Sequence, residues 1–259
     1  MEFVTSSEVW KGEKEDLAFD HVGVILRQGS HYYFARQDDR HASIKVENLT
    51  PEEIPHTYMY APFPAGLTQV PDPLPANIYL KRANLLDYHP EIHKDGVSGC
   101  DVLLEEAKIY ETLRLHPHKN IARYYGCLVE EGNFHALCLE KYPATLKDRQ
   151  GDLSVAEKTR IMQEIRDAVA HLHSLGLVHN DLKPNNIMIT DDGTAILIDF
   201  DSCRPAGELM GVKGSTPGWE MVTDYALPEN DLQLLDMIER SLLGDSATET
   251  VHPTTLSQD

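Results

Sequence analysis

One stretch of eight residues, His179-Asn180-Asp181-Leu182-Lys183-Pro184-Asn185-Asn186, holds three side chains of complementary chemistry. The Asp181 carboxylate can accept a proton from a hydroxyl, the Lys183 ammonium can neutralise a transferring phosphate, and the Asn186 amide oxygen can bind a metal ion. One apolar strand later, in TAILIDFDSC, Asp199 supplies a carboxylate for the same metal. Phosphoryl transfer needs positioning and charge neutralisation more than covalent help, so these four residue types at one place are the expected equipment.

Those side chains need elements to hold them. VHNDLKPNNIMI and TAILIDFDSC read as two short apolar strands joined through the turn Asp191-Asp192-Gly193. Ser154, three residues before Glu157, forms a capping-box pattern that opens a helix with Ile161, Ile165, Val169 and Leu172 on one face; Gly176 closes it. A final helix is expected around Asp231–Leu243. Upstream, VLLEEAKIYETLRL reads as a helix with Leu103, Ala107, Tyr110, Leu113 and Leu115 on its apolar side, ended by Pro117. NIYLKRANLL reads as a short strand, and IARYYGCLVE with FHALCLEKY as a hairpin across Glu131-Gly132-Asn133. Further back, HVGVILR, HYYFAR and ASIKVENL have the pattern of three strands. Seven prolines between residues 51 and 75 argue against regular structure there. A mobile linker and an extended segment packed on the surface both remain open.

The 179–186 loop resembles the catalytic loop of eukaryotic-type protein kinases, and Asp199-Phe200-Asp201 resembles their magnesium-binding motif. The resemblance implies a lysine on a small-lobe strand gripping the nucleotide phosphates, paired with a glutamate on the next helix. Lys81 and Glu106 fill those roles, with Glu105 as the register alternative. Lys45 has the more familiar surrounding wording, but it lies 61 residues before Glu106 across the proline tract, whereas Lys81 lies 25 before. By the same resemblance Leu139 is a gatekeeper, and the backbone of Glu140, Lys141 and Tyr142 is the hinge that hydrogen-bonds adenine. Gly214-Ser215-Thr216-Pro217-Gly218-Trp219 resembles the end of an activation segment, with Thr216 near Asp181 and Lys183. Asp231 resembles the buried acid that braces the catalytic loop; an ordinary helix-capping Asp is the plainer alternative.

Departures accompany the resemblance. There is no GxGxxG loop; Gly29 stands alone in its hairpin, so the 21–36 hairpin would be an atypical phosphate flap. Asn180 occupies the place of an arginine and Asp201 that of a glycine. Few residues follow the last helix, so the large lobe is short. The pattern as a whole is similar to small truncated kinase-like proteins of filamentous fungi.

The expected fold is therefore α+β: a two-lobed, protein-kinase-like architecture with a small antiparallel sheet lobe and a shortened, mainly helical lobe. Its expected divisions are a flexible tail (1–16), N-terminal strands within or appended to the small lobe (17–50), a proline-rich linker or insertion (51–76), the small lobe (77–139), the large lobe (140–243) and a disordered tail (244–259). The resemblance implies an ATP- and Mg2+-dependent kinase acting on Ser or Thr of a protein substrate. Asp181 and Lys183 are the catalytic pair, Asn186 and Asp199 the metal ligands, and Lys81, Glu106, Glu140 and Tyr142 the nucleotide-binding residues. The alternatives are a pseudokinase scaffold and a small-molecule phosphotransferase of the aminoglycoside or choline type. Lys183 and the TPGW wording argue against the latter.

Composition narrows the partners. Lys+Arg 23 against Asp+Glu 42 gives −19, which disfavours nucleic acid and favours a basic protein substrate. Four scattered cysteines, no signal-like N-terminus and no long apolar run point to a reducing cytoplasmic or nuclear setting without a membrane span. The pairs His171/His173 and His116/His118 lack Cys or carboxylate partners for a zinc set. The oligomeric state is not set by sequence.

Overall fold

The computed structural model describes residues 1–12, 18–90, 93, 98–210, 219 and 223–244. It is α+β and divides into two units, Met1–Ala107 with Tyr125–Cys138, and Lys108–Tyr124 with Leu139–Asp259. The first unit opens with an antiparallel sheet in the order β1 (Glu2–Lys11), β2 (Ala18–Gln28), β3 (His31–Gln37) and β4 (Glu52–Glu53). β2 has a nearly continuous apolar run because it is covered on both faces. Val22, Val24 and Leu26 pack with Ala35 on one side, and Ile25 packs with Phe34, Ile54, Tyr58, Met59 and Tyr88 on the other.

Two expectations fail in this sheet. Residues 2–11 form an edge strand paired with β2 along its length, not a loose tail. Its residues are mostly exposed, so backbone pairing holds it and leaves little hydrophobic pattern to read. Trp10 adds an anchor, edge-on to Phe19 and beneath the Arg40 guanidinium. ASIKVENL, in turn, is no strand: it makes a single 3-10 turn at Val46–Asn48. Its Ile44, Val46 and Leu49 lie against the Val22 and Val24 face as a cover.

The proline tract is likewise tied down. It contains the short helix α1 (His56–Met59) and strand β5 (Ala61–Pro62). Farther on, the Cys127 N–H donates to Thr68 O at 2.7 Å and the Val70 N–H donates to Cys127 O at 2.9 Å. After the tract come β6 (Ile78–Lys81), α2 (Gly99–Leu115), β7 (Tyr124–Glu130) and β8 (Asn133–Glu140). β8 pairs with β5, β6 and β7, forming a second sheet, antiparallel at the β5–β8 pair and separate from the first. Glu131 and Gly132 both take positive φ, 50° and 78°, which the tight β7–β8 turn requires. On α2, Leu103, Glu106, Ala107, Tyr110 and Leu113 are buried. Leu115, expected on that face, is 67% exposed, because the last turn runs past the core.

In the second unit, β9 (Ala144–Thr145) leads into α3 (Leu146–Arg149), and α4 (Val155–Ser174) follows. Ser154 and Glu157 form the expected capping box; Ile161, Ile165, Val169 and Leu172 are buried, and Gly176 sits at φ 72° just past the end. Next are β10 (Leu177–Val178), β11 (Ile187–Ile189), β12 (Ala195–Leu197), β13 (Arg204–Pro205) and α5 (Pro228–Leu243). α5 packs on α4 and buries Leu234, Leu235, Ile238 and Leu242. Its other side exposes Gln233, Asp236, Arg240 and Ser241 together with Leu232. All four cysteines are buried, and none forms a disulfide. No helix among the described residues is long and apolar enough to cross a membrane. Residues 214–218 of the expected activation segment, Thr216 included, and residues 245–259 lie outside the described residues.

Candidate active site

Strand register assembles the site in the second unit. β11 and β12 pair antiparallel with Ile187 opposite Leu197, so the residue before β11 meets the residues after β12. The Ile198 N–H donates to Asn186 O at 3.0 Å, which sets Asn186 beside the turn that starts at Asp199. β10 and β13 pair with Val178 opposite Arg204, joining the catalytic loop to the chain just after Asp201. Asn180 and Asp199 both adopt left-handed backbone, φ 62° and 66°. Non-glycine residues take this conformation mostly where surrounding structure enforces it.

At Asn180 a fully buried acid enforces it. Asp231 accepts the His179 N–H at 2.9 Å, the Asn180 N–H at 2.8 Å and His173 Nε2–H at 2.9 Å. Asp231 is therefore the brace and not a helix cap; the N-cap of α5 is Leu227. His179 is locked as well. Its Nδ1 accepts the Asp181 N–H at 3.3 Å, so the proton sits on Nε2, which donates to Ile198 O at 3.1 Å. Phe200, fully buried, packs on His179 and edge-on to Tyr110.

On this frame the reactive groups converge. Lys183 Nζ lies 2.9 Å from both Asp181 carboxylate oxygens. Asn186 Nδ2 donates to Asp181 O at 2.8 Å and Asp181 Oδ2 at 2.9 Å. Asp181, Asp199 and Asp201 bring carboxylate oxygens within 4.8 Å of one another. Three carboxylates against one ammonium leave an excess of two formal negative charges, and every donor is oxygen. That donor set fits a hard divalent cation such as Mg2+.

In the first unit, Lys81 on β6 ion-pairs with Glu106 on α2, Nζ lying 2.7 Å from Oε2 and 2.8 Å from Oε1. Glu106 is fully buried and the Lys81 side chain is 20% exposed. Glu105 faces solvent, and Lys45 is an exposed residue flanking the 3-10 turn. At the end of β8 the Glu140 N–H donates to Arg123 O at 2.9 Å, and the Tyr142 hydroxyl donates to Glu140 Oε2 at 3.2 Å. The 140–142 segment is thus tied to Arg123.

Residues 89–219, half of the chain, match the family model of the protein kinase domain. The chain belongs to the protein kinase family. The kinase domain is 32% identical over 173 residues to the serine/threonine-protein kinase/endoribonuclease IRE1 of Hypocrea jecorina, covering 61% of this chain and 14% of that protein. It is 37% identical over 118 residues to human serine/threonine-protein kinase/endoribonuclease IRE2, covering 39% of this chain and 12% of that one. To the Drosophila melanogaster serine/threonine-protein kinase Tao it is 28% identical over 184 residues, 66% of this chain and 17% of the relative. The chain thus spans under a fifth of the length of these relatives. The N-terminal sheet, β1 to β4, lies outside the matched kinase region.

Sequence reasoning singled out Asp201 but missed Asn230. This residue is 98% hidden and hydrogen-bonded to Asn180. No signal for it was visible beyond its place next to Asp231. The histidine pairs are structural: His173 serves Asp231, His171 Nε2 reaches His116 O at 2.8 Å, and His118 stacks on His171.

Proposed function

We propose that this kinase domain is a Mg2+-ATP-dependent protein kinase acting on Ser or Thr hydroxyls, preferably of basic substrates. The observation that carries the reading is the joint placement of Asp181, Lys183, Asn186 and Asp199 around one oxygen-rich locus. Asp181, oriented by Lys183 and Asn186, accepts the proton of the acceptor hydroxyl. Lys183 moves between Asp181 and the transferring phosphoryl group, offsetting charge that grows in the transition state. Asp199 and the Asn186 amide oxygen hold the metal, which when bound neutralises and orients the nucleotide phosphates. Lys81, kept in place by Glu106, binds the α- and β-phosphates; the backbone of Glu140 and Tyr142 receives adenine. The acidic balance of the chain supports basic substrates through long-range attraction.

Asp199→Asn tests the metal assignment. It should abolish Mg2+-dependent nucleotide binding by calorimetry and phosphate transfer to a basic protein; an unchanged affinity and rate would sink it. A second reading, a scaffold without transfer activity, is favoured by one observation. The β2–β3 hairpin belongs to a sheet separate from that of Lys81 and does not extend it as a phosphate flap. Thermal shift with Mg2+-ATP followed by radiolabel transfer separates the two: no transfer, with or without a shift, supports the scaffold, and transfer rejects it.

A further inference from the structure

Where the kinase pattern has a charged arginine, this chain has Asn180, and the structure gives that amide a complete set of partners. Asn180 Nδ2 donates to Val178 O at 3.1 Å and to Ser202 O at 3.2 Å, while its Oδ1 accepts from Asn230 Nδ2 at 3.0 Å. Asn230 Nδ2 also donates to Tyr225 O at 2.9 Å and approaches Met210 Sδ at 3.8 Å. The two amide groups therefore place their four N–H protons on four oxygens belonging to four parts of the second unit. These are β10, the turn after Asp201, the catalytic loop and the chain entering α5. Asn230 is 2% exposed, so its own bonds are largely shielded from competing water, while Asn180 is partly buried. Asn also suits the left-handed backbone at position 180, which disfavours larger side chains.

Ser202 is the key partner, because it lies three residues after Asp199 and one after Asp201. We propose that Asn180 and Asn230 are positioning residues whose uncharged amide bridge holds the Asp199–Asp201 turn in register with Asp181. The bridge uses no ionised group. It rests on the metal role given to Asp199 above, but its structural half can be read without nucleotide.

The test uses the full chain with Asn180→Ala, Asn230→Ala, the double variant and Asn230→Asp. The first measurement is amide hydrogen exchange over residues 199–204 without nucleotide. The second is the Mg2+ concentration that half-saturates binding of a fluorescent ATP analogue. Each single variant should speed exchange at 199–204 and raise the Mg2+ midpoint by about fivefold, the loss of roughly one buried hydrogen bond. Asn230→Asp, which keeps the size but cannot donate, should match Asn230→Ala. The double variant should be no worse than the singles, because both break one bridge. Unchanged exchange at 199–204, or additive effects in the double variant, would overturn the proposal. A loss of thermal stability with an unmoved Mg2+ midpoint in the folded protein would do so too. If the wild type binds no Mg2+-nucleotide, the kinase reading fails, and the exchange data alone then decide whether the bridge positions the turn.

Discussion

Asp231 shows how one side chain can fix a loop of unusual backbone. Its carboxylate accepts two backbone N–H groups and one imidazole N–H with no exposure to water. Removing it leaves buried donors without acceptors, at about 1–3 kcal/mol each. Asp231→Ala should therefore lower unfolding stability by about 3 kcal/mol or more, measured by urea titration. Asp231→Asn, which keeps one acceptor oxygen, should cost less. Glu106 is a similar case with the opposite purpose. A fully buried carboxylate beside a partly exposed Lys81 does little for net stability, since desolvation offsets much of the attraction. Its value is in orienting the lysine. Glu106→Gln should weaken nucleotide binding more than it lowers the thermal midpoint.

At the scale of elements, the proline tract and the helix starts carry the lesson. Gly126 sits at φ 131°, where an added Cβ would fall 2.7 Å from Val70 N, so β7 admits the extended tract only because this position has no side chain. Gly126→Ala should undock residues 68–70, with faster amide exchange at Val70 and Cys127. Ser154→Ala, which removes the α4 capping box, should cost about 1 kcal/mol by denaturant titration. A pH effect arises where the segment after β6 packs on the first sheet. Burial is the main cause that lowers the His89 pKa; neighbouring His21, His93 and Lys11 add to it, and Asp87 opposes it. An imidazole depressed in the folded state is bound more weakly by protons there than in the unfolded chain. Stability is then full above the unfolded value, about 6.5, and falls as pH drops through the lowered folded value. The thermal midpoint should decline as pH falls below about 6.5, and His89→Phe should flatten that decline.

The whole molecule carries −19 charges, of which the site accounts for few. The remainder repel one another across the surface. Raising NaCl from about 10 mM to about 150 mM contracts the screening length from roughly 30 to roughly 8 Å. The thermal midpoint should therefore rise with salt over that range, and a fall would show that attractive pairs such as Arg40–Glu8 and Arg166–Glu239 outweigh the repulsion.

The catalytic loop, the Asp199 turn, the Lys81–Glu106 pair and the α4 capping box were legible because each depends on residue types at short, fixed spacing. Local geometry and local chemistry leave their record within a few residues. What sequence misread or left open depends on distant partners. Residues 2–11 are a strand only because β2 offers its edge, ASIKVENL covers a sheet face without joining it, and the proline tract is held by β7. Backbone hydrogen bonds are the same for every residue type, so composition cannot report which edge a segment will find. Asn230 is the clearest case: 50 residues separate it from Asn180, and only the folding of α5 against the catalytic loop makes the two amides one bridge. Sequence by itself determined the chemistry available to this protein, and tertiary structure decided which groups hold that chemistry in place.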